Sequence, residues 1–275
     1  MVATGQPLTH MNPITFVVAA NSRDILENNL LASACLRGDS GNQVLVQEGF
    51  KSAATAYNDA IGKTTNDLMV FAHQDILFAK NWIADLEKAL ERLEQTDPNW
   101  GVLGCYGETT NCEGQGYIWS GEQGILGKAF DEPAPVQTLD EIVLILRKSS
   151  GLRFDEGLKN FHFYGTDICM EAAKRRRKVY AISAFCVHNA AQTVMLPKEF
   201  YECYGYIKKK WVDRLPIQTT VIRVTRSSKE MYKRRVMELY QRYVQRRVNG
   251  LHRVADGRVL LRKYEEMLAA GQVKA

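Results

Sequence analysis

The amino-acid sequence predicts an α/β protein: a mostly parallel sheet flanked by helices, followed by a C-terminal helical extension. Three observations carry this. Short apolar, β-branched runs alternate with amphipathic segments three times between residues 14 and 105. Polar or glycine turn signals separate them. The composition, 45% hydrophobic and 24% charged over 275 residues, is that of a globular chain and not of a disordered or fibrous one.

The elements follow in order. Ile14 to Ala20 (ITFVVAA) reads as a buried strand. Asn21 to Asp24 is a polar turn able to cap a helix from Asp24 to Leu36, closed by Gly38 and Gly41. Gln43 to Glu48 is a second strand, and Ser52 to Ile61 a second helix stopped at Gly62. Leu68 to Ala72 is a third strand and Trp82 to Leu93 a third helix, ended before Pro98. Trp100 to Cys105 is a fourth strand. Strands joined through helices pair in parallel by right-handed crossovers, and such sheets bind ligands at the carboxyl ends of their strands.

Gly104 to Pro135 has many glycines and weak periodicity, and reads as long loops with a hairpin. Leu139 to Arg147 and Val179 to His188 each read as one strand, with a helix from Phe161 to Lys174 between them. Leu196 to Trp211 is helical or irregular. Lys229 to Val248 is amphipathic, with Tyr232, Val236, Leu239, Tyr240 and Tyr243 at helical spacing, broken by Gly250. A last helix spans Val259 to Leu268. The expected organisation is a tail (1–13), a main domain (14–220) and a basic helical extension (221–275).

The formal charge of +5 is unevenly distributed. Residues 221–275 hold 14 Lys and Arg against 5 Asp and Glu, giving +9 and leaving −4 for residues 1–220. The extension therefore suits an anionic partner or a solvated helical surface. No apolar run reaches the length of a membrane-spanning helix, and the polar start lacks the apolar stretch of a signal peptide. The six scattered cysteines form no Cys-x-x-Cys pair, so free thiols in a reducing cytoplasm are expected. Gly121 to Lys128 has the wrong spacing for a P-loop, and neither a dinucleotide fingerprint nor a serine-hydrolase elbow is present.

Three groups could carry chemistry. In Phe71-Ala72-His73-Gln74-Asp75, a carboxylate just beyond a buried strand can hold a divalent cation against a phosphate-bearing ligand, or it can simply close a turn. In Phe161 to Asp167 (FHFYGTD), aromatics beside His162 and Asp167 suit ring stacking with a general base, or an aromatic hinge with Asp167 capping a helix. His188 ends its strand and matters chemically only if it converges on Asp75.

In their ordered succession these segments resemble the family 2-type glycosyltransferases of the GT-A fold, in the bacterial branch with a His-Gln-Asp motif, over residues 14–215. Phe16 to Arg23 stands where that family has its first strand and nucleotide-binding turn. Ala53 to Ala60 (AATAYNDA) resembles its Ala-x-x-Asn helix, and Val70 to Ile76 (VFAHQDI) its metal-binding Asp-x-Asp strand end. Leu152 to Glu156 (LRFDE) resembles the phrase before its acceptor-site segment, Phe161 to Met170 its catalytic-acid-rich segment, and Val187-His188 its distal histidine.

The resemblance implies sugar transfer from a nucleotide-sugar donor to a glycan, lipid-linked or other hydroxyl acceptor. It implies Asp75, His188 and His73 as ligands of Mn²⁺ or Mg²⁺. Ala19, Asn21, Arg23, Glu48, Asn58 and Gln74 would bind the donor, Tyr117, Trp119 and Tyr164 would stack on sugar, and Asp167 or His162 would serve as base. A cytoplasmic protein is implied, with peripheral contact at the inner membrane face or a homo-oligomer through the basic extension. Two departures stand out: His73 replaces the first metal carboxylate, and Gly165 stands where relatives commonly have an acidic residue. The second keeps open an inactive GT-A-like binding module as the alternative; a nucleotidyltransferase is a third reading.

Overall fold

The computed structural model describes residues 13–37, 41–191, 193–249 and 253–273. Of the expected tail only Pro13 is among them, and the expected helix breakers Gly38 and Gly250 lie outside them.

Strands β1 (Thr15–Ala20), β2 (Gln43–Glu48) and β3 (Leu68–His73) pair in parallel with β1 in the middle. Their side chains alternate between two cores. Phe16, Val18, Val70 and Ala72 enter one, and Val17, Met69 and Phe71 the other. The register sets Ala20 opposite Glu48 and Ala19 opposite His73, so the three carboxyl ends form one rim.

Helix α1 (Arg23–Asn28) starts where expected, capped by Ser22, whose Oγ accepts the Ile25 N–H. It does not continue to Leu36. Asn29 turns its side chain back onto the Ile25 carbonyl at 2.7 Å, and the chain proceeds through two short 3₁₀ turns, Leu30–Ala32 and Ala34–Leu36. Helix α2 (Ala53–Lys63) is capped by Ser52 and runs through Gly62, the expected stop, because Thr64 closes its end. Strand β4 (Ile76–Phe78) follows a two-residue turn after β3. Helix α3 (Trp82–Thr96) buries Trp82, Leu86, Ala89 and Leu93, one apolar face at spacings of three and four, and extends past the expected end at Leu93.

The expected loops from Gly104 to Pro135 are largely strands: β5 (Val102–Gly104), β6 (Tyr106–Glu108), β7 (Gly114–Ser120), β8 (Gly124–Gly127) and β9 (Ala134–Val136). The glycines here allow close backbone approach and are not signs of a loose chain. A β-carbon on Gly127, at φ +75°, would collide with the Gly116 carbonyl oxygen.

The expected strand from Leu139 to Arg147 is instead divided between β10 (Thr138–Leu139) and β11 (Val143–Arg147), in different sheets. The run 179–188 likewise divides into β12 (Val179–Ala181) and β13 (Cys186–His188). The first sheet has the order β2-β1-β3-β11-β5-β12-β9. Parallel pairing holds for β2-β1-β3 and β5-β12, while β11 enters between them antiparallel to both neighbours. The second sheet is β10-β6-β7-β13-β4, with β8 beside β7. The chain thus changes sheets at 140–142 and at 182–185.

Helices α4 (Tyr164–Lys174) and α5 (Lys198–Lys210) complete the core under β11 and α2. Residues on both sides of position 220 share that core, since Ile222 and Val224 pack with Ile207, Trp211 and Ile217. Helix α6 (Lys229–Leu239) passes into a π-helical turn, Tyr240–Val244, and α7 (Arg258–Ala269) packs Tyr264 flat on Phe185 at 3.6 Å between ring centres. All six cysteines are free thiols, as expected.

Candidate functional site

The rim formed by β1, β2 and β3 opens onto a cavity of about 480 Å³. Of the sequence candidates, Ala19, Asn21, His73, Gln74, Asp75 and Tyr164 line it. Gln47 and Phe50, which no sequence motif marks, line it too, with Tyr57 of the AATAYNDA helix and Phe161 of the FHFYGTD segment.

Two elements bring His188 to Asp75. The β3–β4 turn holds Asp75 at the rim, and β13 pairs antiparallel with β4 in a register that sets His188 opposite Ile76. The Asn189 N–H then donates to the Asp75 carbonyl at 2.9 Å. Asp75 Oδ1 stands 3.6 Å from His188 Nε2 and 3.9 Å from His73 Nδ1. Among the described residues these three form a group whose ligating atoms lie within 4.8 Å of one another.

The donor set fits a divalent cation. The Tyr164 hydroxyl reaches the Glu141 carbonyl at 3.2 Å and lies 2.8 Å from His73 Nε2, from which it accepts when the ring proton is on Nε2. That tautomer leaves Nδ1 as the lone-pair nitrogen facing Asp75. Burial pushes the His73 imidazole below its ordinary value, against the opposing pull of Asp75, and so favours the neutral, ligating form. Two imidazoles and one carboxylate suit Mn²⁺ better than Mg²⁺, which prefers oxygen donors.

The other Asp75 oxygen is also engaged. Arg253 Nη2 lies 2.7 Å from Oδ2. No motif marks Arg253, which is one of many basic residues in the extension.

Several candidates are engaged within the fold or lie elsewhere. Gln74 has no free amide: its Oε1 accepts the N–H groups of Asn21 and Ser22, and its Nε2 donates to Asn21 Oδ1 at 2.6 Å, tying the β1 and β3 ends together. Arg23 points to solvent and pairs with Glu27. Glu48 is exposed outside the cavity lining. Asn58 clamps the Phe154 backbone, donating to its carbonyl at 2.8 Å and accepting its N–H at 3.0 Å, which is a structural role. Tyr117 and Trp119 are buried with Phe185 and Tyr264 on the second sheet, away from the rim, and Tyr117 borders a separate cavity of about 610 Å³ between α3 and α7. Tyr164 is buried beneath His73 and orients that ring, so it offers no stacking face to solvent.

Asp167 does not reach the cavity. It is 1% exposed, accepts from Trp211 Nε1 at 2.8 Å and is paired with Lys210 Nζ at 2.9 Å. Lys210 also meets Asp155 and Glu171, at 2.8 and 3.0 Å. This cluster joins α4 to α5, and desolvation raises the proton affinity of Asp167 within it. His162 is half-buried against the Phe200 ring, and burial together with His73 pushes its imidazole below the ordinary value.

A carboxylate that no sequence motif marks meets the N-terminus of α4. Glu141 lies where the chain changes sheets, and its Oε1 accepts the Gly165 N–H at 3.1 Å. Burial, with Asp140 adding repulsion, pushes its proton affinity up to about 8, against the N–H groups at the α4 N-terminus. A β-carbon at Gly165 would lie 2.7 Å from Glu141 Cγ, so the glycine makes room for this side chain.

The chain matches the model of a glycosyltransferase-like family over residues 15–212. It belongs to that family. The matched span starts on β1, ends just after α5 and includes the whole His73–Asp75–His188 group. The chain is also 28% identical over 131 residues to a protein from Fuscovulum blasticum described as "ATP synthase subunits region ORF 6", across 46% of this chain and 52% of the relative. The chain therefore spans about half the length of that relative. Among solved structures, S. aureus TarS 1–349 is 14% identical, covering 84% of this chain and 72% of the other at a TM-score of 0.44. The same fragment in complex with UDP-GlcNAc is 13% identical, covering 73% and 67% at 0.45. Likeness at these scores adds nothing to the reading of the site, which rests on the family and the geometry.

Proposed function

We propose that this family member transfers a sugar from a nucleotide-diphosphate donor to an acceptor hydroxyl, in one inverting displacement assisted by a divalent cation, Mn²⁺ ahead of Mg²⁺. The observation that carries the reading is the convergence of His73, Asp75 and His188 at the carboxyl rim of the parallel strands, beside the 480 Å³ cavity. His73 and His188 would each give a ring nitrogen, and Asp75 its Oδ1. When bound, the cation neutralises charge on the departing diphosphate. Asn21 is pinned by Gln74 at the rim, where Gln47 and the rings of Phe50 and Phe161 offer polar and stacking contacts to a nucleoside.

The acceptor proton needs a base. Asp167 is spent on Lys210 and Trp211, so we assign the role to Glu141, with His162 as the other candidate. Glu141 borders a small pocket of about 50 Å³ with Asp140, Thr166 and Thr220, and its backbone is two hydrogen bonds from His73 through Tyr164. A carboxylate with proton affinity near neutrality both accepts and releases a proton at working pH. The occupation of position 165 by glycine favours the second reading, a binding module without turnover. Glu141 at that place answers it.

The acceptor is assigned to a membrane surface, as a lipid-linked or glycan hydroxyl. No described helix is long and apolar enough to cross a membrane. Helix α6 and its π turn expose Tyr232, Val236, Tyr240 and Tyr243 beside Lys233, Arg235 and Arg242, a composition suited to anionic lipid. The test of the central claim is release of nucleoside diphosphate from a panel of nucleotide sugars with Mn²⁺ and an extract of lipid-linked acceptors. Release that depends on Asp75 supports transfer. Binding of a nucleotide sugar with no release supports the module.

A further inference from the structure

The C-terminal extension is fastened to the body beside Asp75 and His188 at several points. The Asn249 side chain accepts the N–H groups of Val194 and Met195, at 2.7 and 2.9 Å. Val254 exchanges two hydrogen bonds with the side chain of Asn189, which is 1% exposed and follows His188 directly. The Gly257 N–H donates to the Asn28 carbonyl at 3.1 Å, and a β-carbon there would meet the Asn29 amide. Between these fastenings stands Arg253. Its Nε donates to the Asn189 carbonyl at 3.1 Å and its Nη2 to Asp75 Oδ2 at 2.7 Å.

A guanidinium has five N–H donors in a fixed fork, and these contacts use two of them. Three remain, on a side chain that is 29% exposed. Asp75 divides its oxygens: Oδ1 faces the two histidines and Oδ2 faces Arg253. A cation at the histidines and this guanidinium would then flank one carboxylate from two sides. One carboxylate leaves an excess of positive charge there, and a planar donor fork beside it matches phosphate oxygens.

We propose that Arg253 is a diphosphate-binding residue, supplied by the C-terminal segment to complete the donor site. The proposal rests on the nucleotide-diphosphate reading above. Residues 253–257 then carry a phosphate contact to the rim. Asp75 both ligates the cation and orients the arginine.

The test is calorimetric titration of UDP, GDP, CDP, dTDP and ADP into the full chain with Mn²⁺, for wild type, R253K and R253A. Titration of Mn²⁺ alone into each protein accompanies it, and far-ultraviolet circular dichroism checks folding. The wild type is expected to bind at least one of these diphosphates. R253A is expected to bind it at least tenfold more weakly while retaining Mn²⁺, with R253K intermediate because it keeps the charge but loses the fork. Wild-type diphosphate affinity in R253A, with Mn²⁺ bound more tightly, would overturn the assignment alone and make Arg253 a plug on Asp75. Absence of diphosphate binding in the wild type, with Mn²⁺ bound, would overturn both the assignment and the donor reading.

Discussion

Glu141 fills the space that a side chain at position 165 would need. Its Cγ lies 2.7 Å from where a Gly165 β-carbon would sit, and its carboxylate accepts the Gly165 N–H at 3.1 Å. Gly165→Ala should therefore push Glu141 aside. The expected cost is about 1–3 kcal/mol of stability, with turnover falling further than stability alone explains. Glu141→Gln keeps the shape and removes the base. It should lower kcat about 10²-fold or more while leaving donor KM near wild type. Wild-type kcat in Glu141→Gln would pass the role to His162.

Glu141 also predicts a pH dependence of folding. Its proton affinity is raised from 4.5 in the unfolded chain to about 8 in the fold. The native state then holds a proton that the unfolded state has released, so this group's contribution is full below about 4.5 and is lost as pH rises towards 8. His73 and His162, both pushed down, act in the opposite sense below their ordinary value of 6.5. The difference between wild type and Glu141→Gln isolates the carboxylate. Chemical denaturation between pH 5 and 9 should show wild type losing stability relative to the variant by roughly 2 kcal/mol, a figure reduced for the partial exposure of the group. Parallel curves for the two proteins would contradict the assigned shift.

The cation site predicts a ligand-linked stabilisation. At a Mn²⁺ concentration 100 times its dissociation constant, a site present only in the folded state adds about 2.7 kcal/mol, a rise of several degrees in Tm. Asp75→Ala and His188→Ala should abolish that rise and Mn²⁺-dependent turnover with it. Chelation should return wild type to the lower Tm. Mg²⁺ at equal concentration should give a smaller shift, and equal shifts for the two ions would count against ligation by two imidazoles.

The cluster around Lys210 predicts a purely structural defect. Replacing Lys210 with Met leaves Asp155, Asp167 and Glu171 facing one another without a counter-charge, and Asp167 is 1% exposed. Breaking a buried pair on one side costs about 3–5 kcal/mol. Asp167→Asn should cost less, since the amide still accepts from Trp211 Nε1. Donor affinity in Asp167→Asn should stay at the wild-type value, and loss of binding there would return Asp167 to the site.

The parts of the site readable in the sequence are those fixed by one strand end. His73 and Asp75 follow an apolar run, and a strand end in a parallel sheet is where ligands bind. His188 could be paired with them only through the family resemblance, because the β13–β4 register joins segments 113 positions apart. Glu141 and Arg253 were not readable, for different reasons. Glu141 sits inside an apolar run with the pattern of one strand, and its place at the α4 N-terminus depends on the chain leaving one sheet for the other between β10 and β11. Arg253 carries no signal distinguishing it from its basic neighbours, and its contact with Asp75 spans 178 positions. Asp167 belongs to the core and not to the site because an acidic residue in the first turn of a helix can face either. The partners that decide, Lys210 and Trp211, lie on and just beyond the next helix.

Helix α6 presents two unlike sides. One side of it is held to the body: Glu238 is 1% exposed, paired with Arg234 and accepting from the Tyr201 hydroxyl at 2.7 Å, and Arg235 lies over the Tyr201 ring. The other side leaves Tyr232 at 65%, Val236 at 66% and Tyr243 at 72% exposure, a row at helical spacing flanked by cations. Vesicles containing phosphatidylglycerol should co-sediment the full chain, and the bound fraction should fall as salt rises because the cations contribute by attraction to anionic headgroups. Replacing Tyr232, Val236 and Tyr243 together with serine removes only exposed apolar surface, so folding should hold while co-sedimentation drops severalfold. Neutral phosphatidylcholine vesicles should recover little of either protein. Equal recovery of wild type and the triple variant on anionic vesicles would remove the membrane from the account, and a concentration-dependent mass in solution lost in the same variant would put a second copy of the chain on that face.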